Sequence, residues 1–264
     1  MENLKISVIT PAFNSAATIR ETIESVLSQT YDNVEHVIVD GKSTDNTVEI
    51  IRQNEPRYNR RLRWISEPDG GLYDAMNKGI RMASGDVVGV LNSDDFLTDE
   101  FSLETVADAF AEGTDAVFGN LKFISREDPG KVLRIWKGSP YRSFRKGWHP
   151  CHPTFYARRE LYTEFGGFDT SFRIAADFEL MLRFIEKNRI RTRYVDKYLV
   201  DMRLGGTSTR NLHNIIAGNR EVIRAFRTNG IKISPFYPMM RLLPKIQGIF
   251  SFHLSKSIYS RDND

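Results

Sequence analysis

The chain has 264 residues, 41% hydrophobic and 27% charged, which is enough to bury a full core and too long for a minimal binding module. Its formal net charge of +3 gives no whole-molecule attraction to nucleic acid, and its one cysteine, Cys151, excludes an intramolecular disulfide framework and a cysteine-clustered zinc site. No apolar run reaches the roughly 18 residues that span a bilayer, and no charged-then-apolar leader precedes the first strand pattern, so the expectation is a cytoplasmic protein, soluble or peripherally attached.

Strand and helix patterns alternate through the first hundred residues. Ile6 to Thr10 reads as a strand. A helix follows, with Ile19, Ile23, Val26 and Leu27 on one face and with Thr18 and Glu21, or Asn14 and Ser15, available to cap its start. Val34 to Val39 is the next strand, Thr44 to Ile51 the next helix, Leu62 to Ile65 a third strand and Tyr73 to Met82 a third helix. Ala83-Ser84-Gly85 ends that helix, and Val87 to Leu91 is nearly all apolar, the mark of a strand buried on both faces. This βαβαβαβ order predicts a mostly parallel sheet with right-handed crossovers.

Beyond Asp95 the pattern loosens. Phe101 to Phe110 reads as a helix and Ala116 to Asn120 as a strand, whereas residues 125–150 carry many Arg, Lys, Gly and Pro without periodicity and read as a loop-rich insertion. Ala176 to Ile185 has helical spacing of Phe178, Leu182 and Ile185, and residues 211–227 form a further helix pattern. From Ile231 the chain is basic, aromatic and broken by Pro235, Pro238 and Pro244. Such a segment packs on the main domain, on a second copy of the chain in a homodimer, or in the interface of an anionic membrane. These divisions set a main domain at 1–210, with halves at about 1–97 and 98–210, and a helical, basic-amphipathic extension at 211–264.

Short acidic turns close three successive strands: Asp40-Gly41 after Val37 to Val39, Pro68-Asp69 after Leu62 to Ile65, and Ser93-Asp94-Asp95 after Val87 to Leu91. The ligand crevice of an open α/β sheet lies outside the carboxyl ends of its strands, so these carboxylates should converge although tens of residues separate them. One such Asp is an ordinary turn former. Three in order, the last doubled, point to a divalent cation held by hard oxygen ligands. No Gly-x-Gly-x-x-Gly or Gly-x-x-x-x-Gly-Lys-Ser/Thr loop is present for a dinucleotide or P-loop site.

Thr10-Pro11-Ala12-Phe13-Asn14, Asp40-Gly41-Lys42-Ser43-Thr44-Asp45, Asp69 through Gly79 and Asn92-Ser93-Asp94-Asp95 occur in this order, with Gly166-Gly167-Phe168-Asp169 and Ala176-Asp177 downstream. This ordered set resembles family-two inverting glycosyltransferases with the GT-A fold, over about residues 4–210. The resemblance implies a GT-A (Rossmann-like) sheet flanked by helices, with a helical C-terminal appendage. It implies a nucleotide-sugar donor, UDP-linked by preference, whose nucleoside meets Asp40 and Asp69 while Pro11, Ala12 and Asn14 shape the first loop and Asn77 belongs to the donor site. It makes Asp95 the direct ligand of Mg²⁺ or Mn²⁺ with Asp94 beside it, places His152 at the donor diphosphate or acceptor, and gives Asp177 the role of base, Glu179 being the runner-up. His149 is a weaker candidate than His152. Arg63-Trp64 has Arg60 where the processive synthases of the family carry Gln, so the expected activity is addition of one sugar to a glycan or lipid-diphosphate-linked acceptor, as in O-antigen, capsule or exopolysaccharide synthesis at the inner face of the plasma membrane. A nucleotidyltransferase and a non-catalytic nucleotide-sugar binding protein remain the alternatives.

Overall fold

A computed structural model describes residues 4–205 and 212–237. The strands in chain order are β1 (Ile6–Ala12), β2 (Val34–Asp40), β3 (Leu62–Ser66), β4 (Val87–Val90), β5 (Phe96–Leu97), β6 (Ala116–Ile124), β7 (Val132–Trp136), β8 (Tyr156–Arg158) and β9 (Thr192–Arg203). The helices are α1 (Ile19–Leu27), α2 (Thr47–Asn54), α3 (Leu72–Met82), α4 (Ser102–Ala109), α5 (Arg159–Glu164), α6 (Ala176–Met181) and α7 (Leu212–Thr228). One nine-stranded sheet runs β3-β2-β1-β4-β8-β6-β9-β5, with β7 paired to β6.

The parallel arrangement expected from the sequence holds for β3-β2-β1-β4. Past β4 the sheet is mixed: β8 runs antiparallel to both β4 and β6, β9 parallel to β6, and β5 antiparallel to β9. Period-two alternation along β1 divides the core. Ile6 and Val8 face the layer that holds Ile19, Ile23, Ile51, Leu103 and Val106, whereas Ile9 faces the layer of Tyr73, Met76, Phe178, Val222 and Phe226. Each fully buried Ile or Phe in these layers contributes about 1.5–3 kcal/mol. Helix α3 lies close against β1, because a Cβ on Gly79 would stand 2.3 Å from Ile9 Cγ2.

Three local findings differ from the sequence expectations. Residues 125–150 are not wholly loop, since β7 pairs with β6 through Leu121↔Trp136 to Ile124↔Val132. The start of α1 is not closed by the Thr18 side chain, whose Oγ1 donates instead to Ser93 C=O at 2.8 Å, and Glu21 pairs with Arg203. The helix over 176–185 begins as α6 and continues as a π-turn at Leu182–Lys187, a widening that often accompanies functional sites. The basic, proline-broken segment lies outside the described residues from Pro238 onward.

Candidate active site

The carboxyl ends of β1, β2 and β3 are tied into one surface. Asn14 and Lys42, both non-glycine residues with positive φ (48° and 64°), stand just after β1 and β2. Such backbone is retained where surrounding bonds fix it. Here Asn14 N–H donates to Ser43 Oγ at 2.8 Å and Asn14 Oδ1 accepts Thr44 N–H at 2.9 Å. Pro11 and Ala12 are the last residues of β1, opposite Val39 and Asp40, and the loop proper starts at Phe13. Phe13 is 62% exposed and so stands free of the core. Asp69 Oδ1 accepts Gly71 N–H, and its carboxylate lies so close over Gly41 that a Cβ there would be 2.4 Å from Oδ2.

Asp40, expected to meet the nucleoside, is engaged within the fold. It is fully buried, one oxygen accepting from Ser43 Oγ and the other from Ser43 N–H at 3.0 Å and Ser66 Oγ at 2.6 Å. With its acceptors spent inside the fold, Asp40 positions the Gly41–Ser43 turn and ties it to β3. Asn77, expected in the donor site, is engaged with the turn before Asp169. Its Nδ2 donates to Phe168 C=O and its Oδ1 accepts Phe168 N–H, both at 2.8 Å, so the amide clamps the Gly166–Phe168 turn to α3.

After β4 the acidic turn presents two carboxylates in unlike settings. Asp95, expected to be the direct cation ligand, is 1% exposed, and accepts Arg203 N–H at 3.1 Å and Asn92 Nδ2–H at 3.2 Å. Asp94 is the accessible member: its side chain is about one-third exposed and meets Arg126 Nη2 at 2.9 Å. Desolvation, with the neighbouring Asp94 charge second, holds Asp95 well above the usual carboxyl range. Asn92 Oδ1 is buried without a hydrogen-bond partner. The buried Asp95 carboxylate, the partly exposed Asp94 carboxylate and the orphaned Asn92 oxygen bring hard oxygen groups together in one turn, which fits a divalent cation. No cluster of three His, Cys, Asp or Glu groups able to hold an ion occurs among the described residues. The turn offers two carboxylates, the kind of partial shell with which Mg²⁺ is held when substrate phosphates and water complete it.

Asp177, the first-turn acid of α6, opens onto a cleft lined also by Leu72 and Tyr73 of α3, Asn92, His152 and Phe168. Thus the base candidate shares this space with Asn92, the residue directly before the acidic turn. His152 Nδ1 stands 3.1 Å from Asp177 Oδ2, and both side chains are partly exposed. Among the sequence-predicted site residues, Asp177 and His152 are therefore in contact. Glu179, the runner-up, is 2% exposed and bound by Arg183 at 2.9–3.0 Å and Asn229 Nδ2 at 2.9 Å, which leaves it no access to a substrate. His149 packs edge-on between Trp136 and Phe178.

The sequence reading missed the supports of Asp177. Glu221 of α7 accepts the N–H groups of Arg173, Ile174 and Ala175, each at 2.9 Å. Arg183 donates to the carbonyls of Phe165, Gly166 and Gly167. Tyr73 OH donates to Ile174 C=O at 2.9 Å while its ring stacks on Phe168. Burial, with the Asp177 charge second, pushes the Tyr73 phenol well above its ordinary range and keeps it protonated as that donor. The partners come from α3, the π-turn after α6, and α7, and no local pattern announces such long-range pairing.

Residues 7–174 match the family model described as Glycosyl transferase family 2, which spans the three strand-end turns and the Gly166–Phe168 turn. The chain belongs to glycosyl transferase family 2. An uncharacterized glycosyltransferase of Mycobacterium tuberculosis is 35% identical over 196 residues, covering 67% of this chain and 68% of its own. A PGL/p-HBAD biosynthesis glycosyltransferase of Mycobacterium bovis is 31% identical over 199 residues, covering 72% and 73%. In three dimensions the chain is similar to the mannosyltransferase PcManGT from Pyrobaculum calidifontis in complex with GDP-Man and Mn²⁺, at TM-score 0.65 and 22% identity, covering 91% of this chain and 70% of that one. S. aureus TarS 1-349 in complex with UDP-GlcNAc gives TM-score 0.64 at 21% identity, covering 86% of this chain and 65% of that one. At these identities the two structures establish the fold, which is of the GT-A type.

Proposed function

We propose that this family 2 glycosyltransferase is inverting and non-processive, moving one sugar from a nucleotide-sugar donor to a glycan or lipid-linked acceptor in the building of a bacterial surface polysaccharide. The observation that carries the reading is the shared cleft: Asp177, held by His152, faces the same space as Asn92 of the acidic turn. In inverting transfer the acceptor oxygen bonds to the anomeric carbon on the face opposite the diphosphate. The anomeric carbon–phosphate oxygen bond breaks, and the acceptor proton passes to a base. Asp177 takes that proton, and His152 holds its carboxylate in one orientation.

The nucleoside end of the donor is assigned to the strand-end surface around Asn14, Gly41 and Asp69. The exposed ring of Phe13 there offers a stacking face for the base. Asp94 is assigned first contact with Mg²⁺ or Mn²⁺, with Asp95 behind it and Asn92 Oδ1 adjacent. The bound ion would offset charge developing on the leaving diphosphate. UDP is the preferred nucleotide, in keeping with TarS in complex with UDP-GlcNAc, although PcManGT carries GDP-Man. The two mycobacterial relatives are both named glycosyltransferases, which favours transfer over nucleotidyl transfer or simple binding. A lipid-linked acceptor would bring the enzyme to the inner face of the membrane as a peripheral protein. No helix among the described residues is long and apolar enough to cross a membrane.

The reading is tested by calorimetry with a panel of UDP- and GDP-sugars, with and without Mn²⁺, followed by NMR of the new linkage made from the donor that binds. Cation-assisted binding of one donor and an anomeric configuration opposite to that donor's are expected. Retained configuration would reject the inverting mechanism, and no nucleotide binding with either metal would reject the donor site.

A further inference from the structure

Asp94 lies between two guanidinium groups of unlike exposure. Arg203, at the end of β9, is 2% exposed and fixed: it donates to Asp94 C=O and to Glu21, and it sits over the Phe96 ring. Arg126 follows the end of β6 and is nearly half exposed; its Nη2 reaches Asp94 Oδ2 at 2.9 Å, and its Nε lies 3.5 Å from Leu204 C=O. The backbone beside Arg126 is firm although its guanidinium is exposed and held by few partners. The hairpin closes through Ser125 N–H to Lys131 C=O at 2.9 Å, Leu204 N–H binds Ile124 C=O at 3.1 Å, and the β6–β7 register shifts at Phe123/Ile124. Bulges of this kind re-aim the next side chain next to active sites.

We propose that Arg126 is an exchangeable counterion. It neutralises Asp94 until a divalent cation takes that carboxylate, then turns its guanidinium to the diphosphate of the nucleotide. This rests on the cation and donor assignments of the proposed function and adds a residue that none of the strand-end motifs contains. Three features support the exchange. A cation at Asp94 and a guanidinium on the same oxygen repel each other, so the two are alternatives. The ion pair is exposed and therefore weak, which makes release cheap. A guanidinium is also suited to phosphate through its planar fork of donors. Arg203, the other guanidinium beside Asp94, cannot make the move, because its donors are committed inside the fold.

The exchange predicts effects of opposite sign from one substitution. Arg126→Gln keeps the length and polarity of the side chain and removes its charge. Without nucleotide, Mn²⁺ binding followed by electron paramagnetic resonance should tighten about two- to fivefold, the range expected when an exposed ion pair no longer competes. In saturating Mn²⁺, binding of UDP, with GDP as the parallel probe, should weaken about tenfold or more, as expected for loss of a charged hydrogen-bond partner. Arg126→Lys should restore the wild-type Mn²⁺ affinity and only part of the nucleotide affinity. A merely structural arginine would lower thermal stability and leave both affinities unchanged or weaken them together, and either result overturns the exchange. If the wild-type protein binds nucleotide without any cation dependence, the cation assignment itself fails and the exchange falls with it. If the wild type shows that dependence and Arg126→Gln changes neither affinity, only the exchange fails.

Discussion

The carboxylates of this protein have separate tasks set by burial rather than by residue type. Asp40 and Glu179 are spent on internal partners, Asp94 is open, and Asp177 stands in the cleft. Asp95 is the costly one. Desolvation and the Asp94 charge raise its pKa above the ordinary 3.8, so its ionised form opposes folding above that pH, and the cost grows as pH rises. Asp95→Asn should therefore raise the melting temperature in chelator-containing buffer at pH 7, by the equivalent of at least about 1 kcal/mol, or one pKa unit. The gain should shrink toward pH 4. The new amide can still accept Arg203 N–H, and the unpartnered Asn92 Oδ1 can turn to accept its N–H. The same substitution should abolish the stabilisation that Mn²⁺ confers on the wild type. A melting temperature unchanged or lowered at pH 7 would contradict this account of the turn.

At the scale of elements, α7 acts on the site without touching it. Glu221 gathers three consecutive N–H groups of the segment that leads into Asp177, and Arg224 lies over Phe172, its guanidinium carbon 3.8 Å from the ring centroid. Glu221→Gln keeps one acceptor oxygen and loses the charge, at a cost of about 1–3 kcal/mol for the weakened bonds. Turnover should fall by about tenfold or more with donor KM nearly unchanged, because the base is misplaced while the nucleotide surface on β1–β3 stays intact. A rise in donor KM of the same size would show that the loop serves donor binding instead. This dependence was not legible in the sequence. The helix over residues 211–227 could be read from its periodicity, and α7 is there, but nothing local assigns Glu221 a partner nearly fifty residues upstream. Strand β9 escaped for a related reason: its pattern Thr-Arg-Tyr-Val-Asp-Lys-Tyr-Leu-Val-Asp-Met-Arg is charged and half-exposed over its first half. Its pairing with β6 supplies what local alternation does not.

Across the whole molecule, the half built of β3-β2-β1-β4 was legible because β1, β2 and β3 are each followed by a turn and a helix before the next parallel strand, so order and direction follow from sequence. The mixed half was not, since β8, β6 and β9 find partners by long returns of the chain. The candidate site divides along the same seam. Its strand-end carboxylates could be named from turn chemistry, but which of them is free could not, because burial of Asp40 and Asp95 depends on Ser66 and Arg203 from distant strands. The proposed function rests on joining the two halves at one cleft, with the donor assigned to the first half and the base to the second. That claim is tested most directly by Asp177→Asn, with donor affinity measured by calorimetry in Mn²⁺ and transfer measured on the same preparation. The account predicts donor affinity within about twofold of wild type and transfer reduced by about a thousandfold or more, since the lost group acts only as the acceptor is deprotonated. Near-normal transfer by this variant would contradict it.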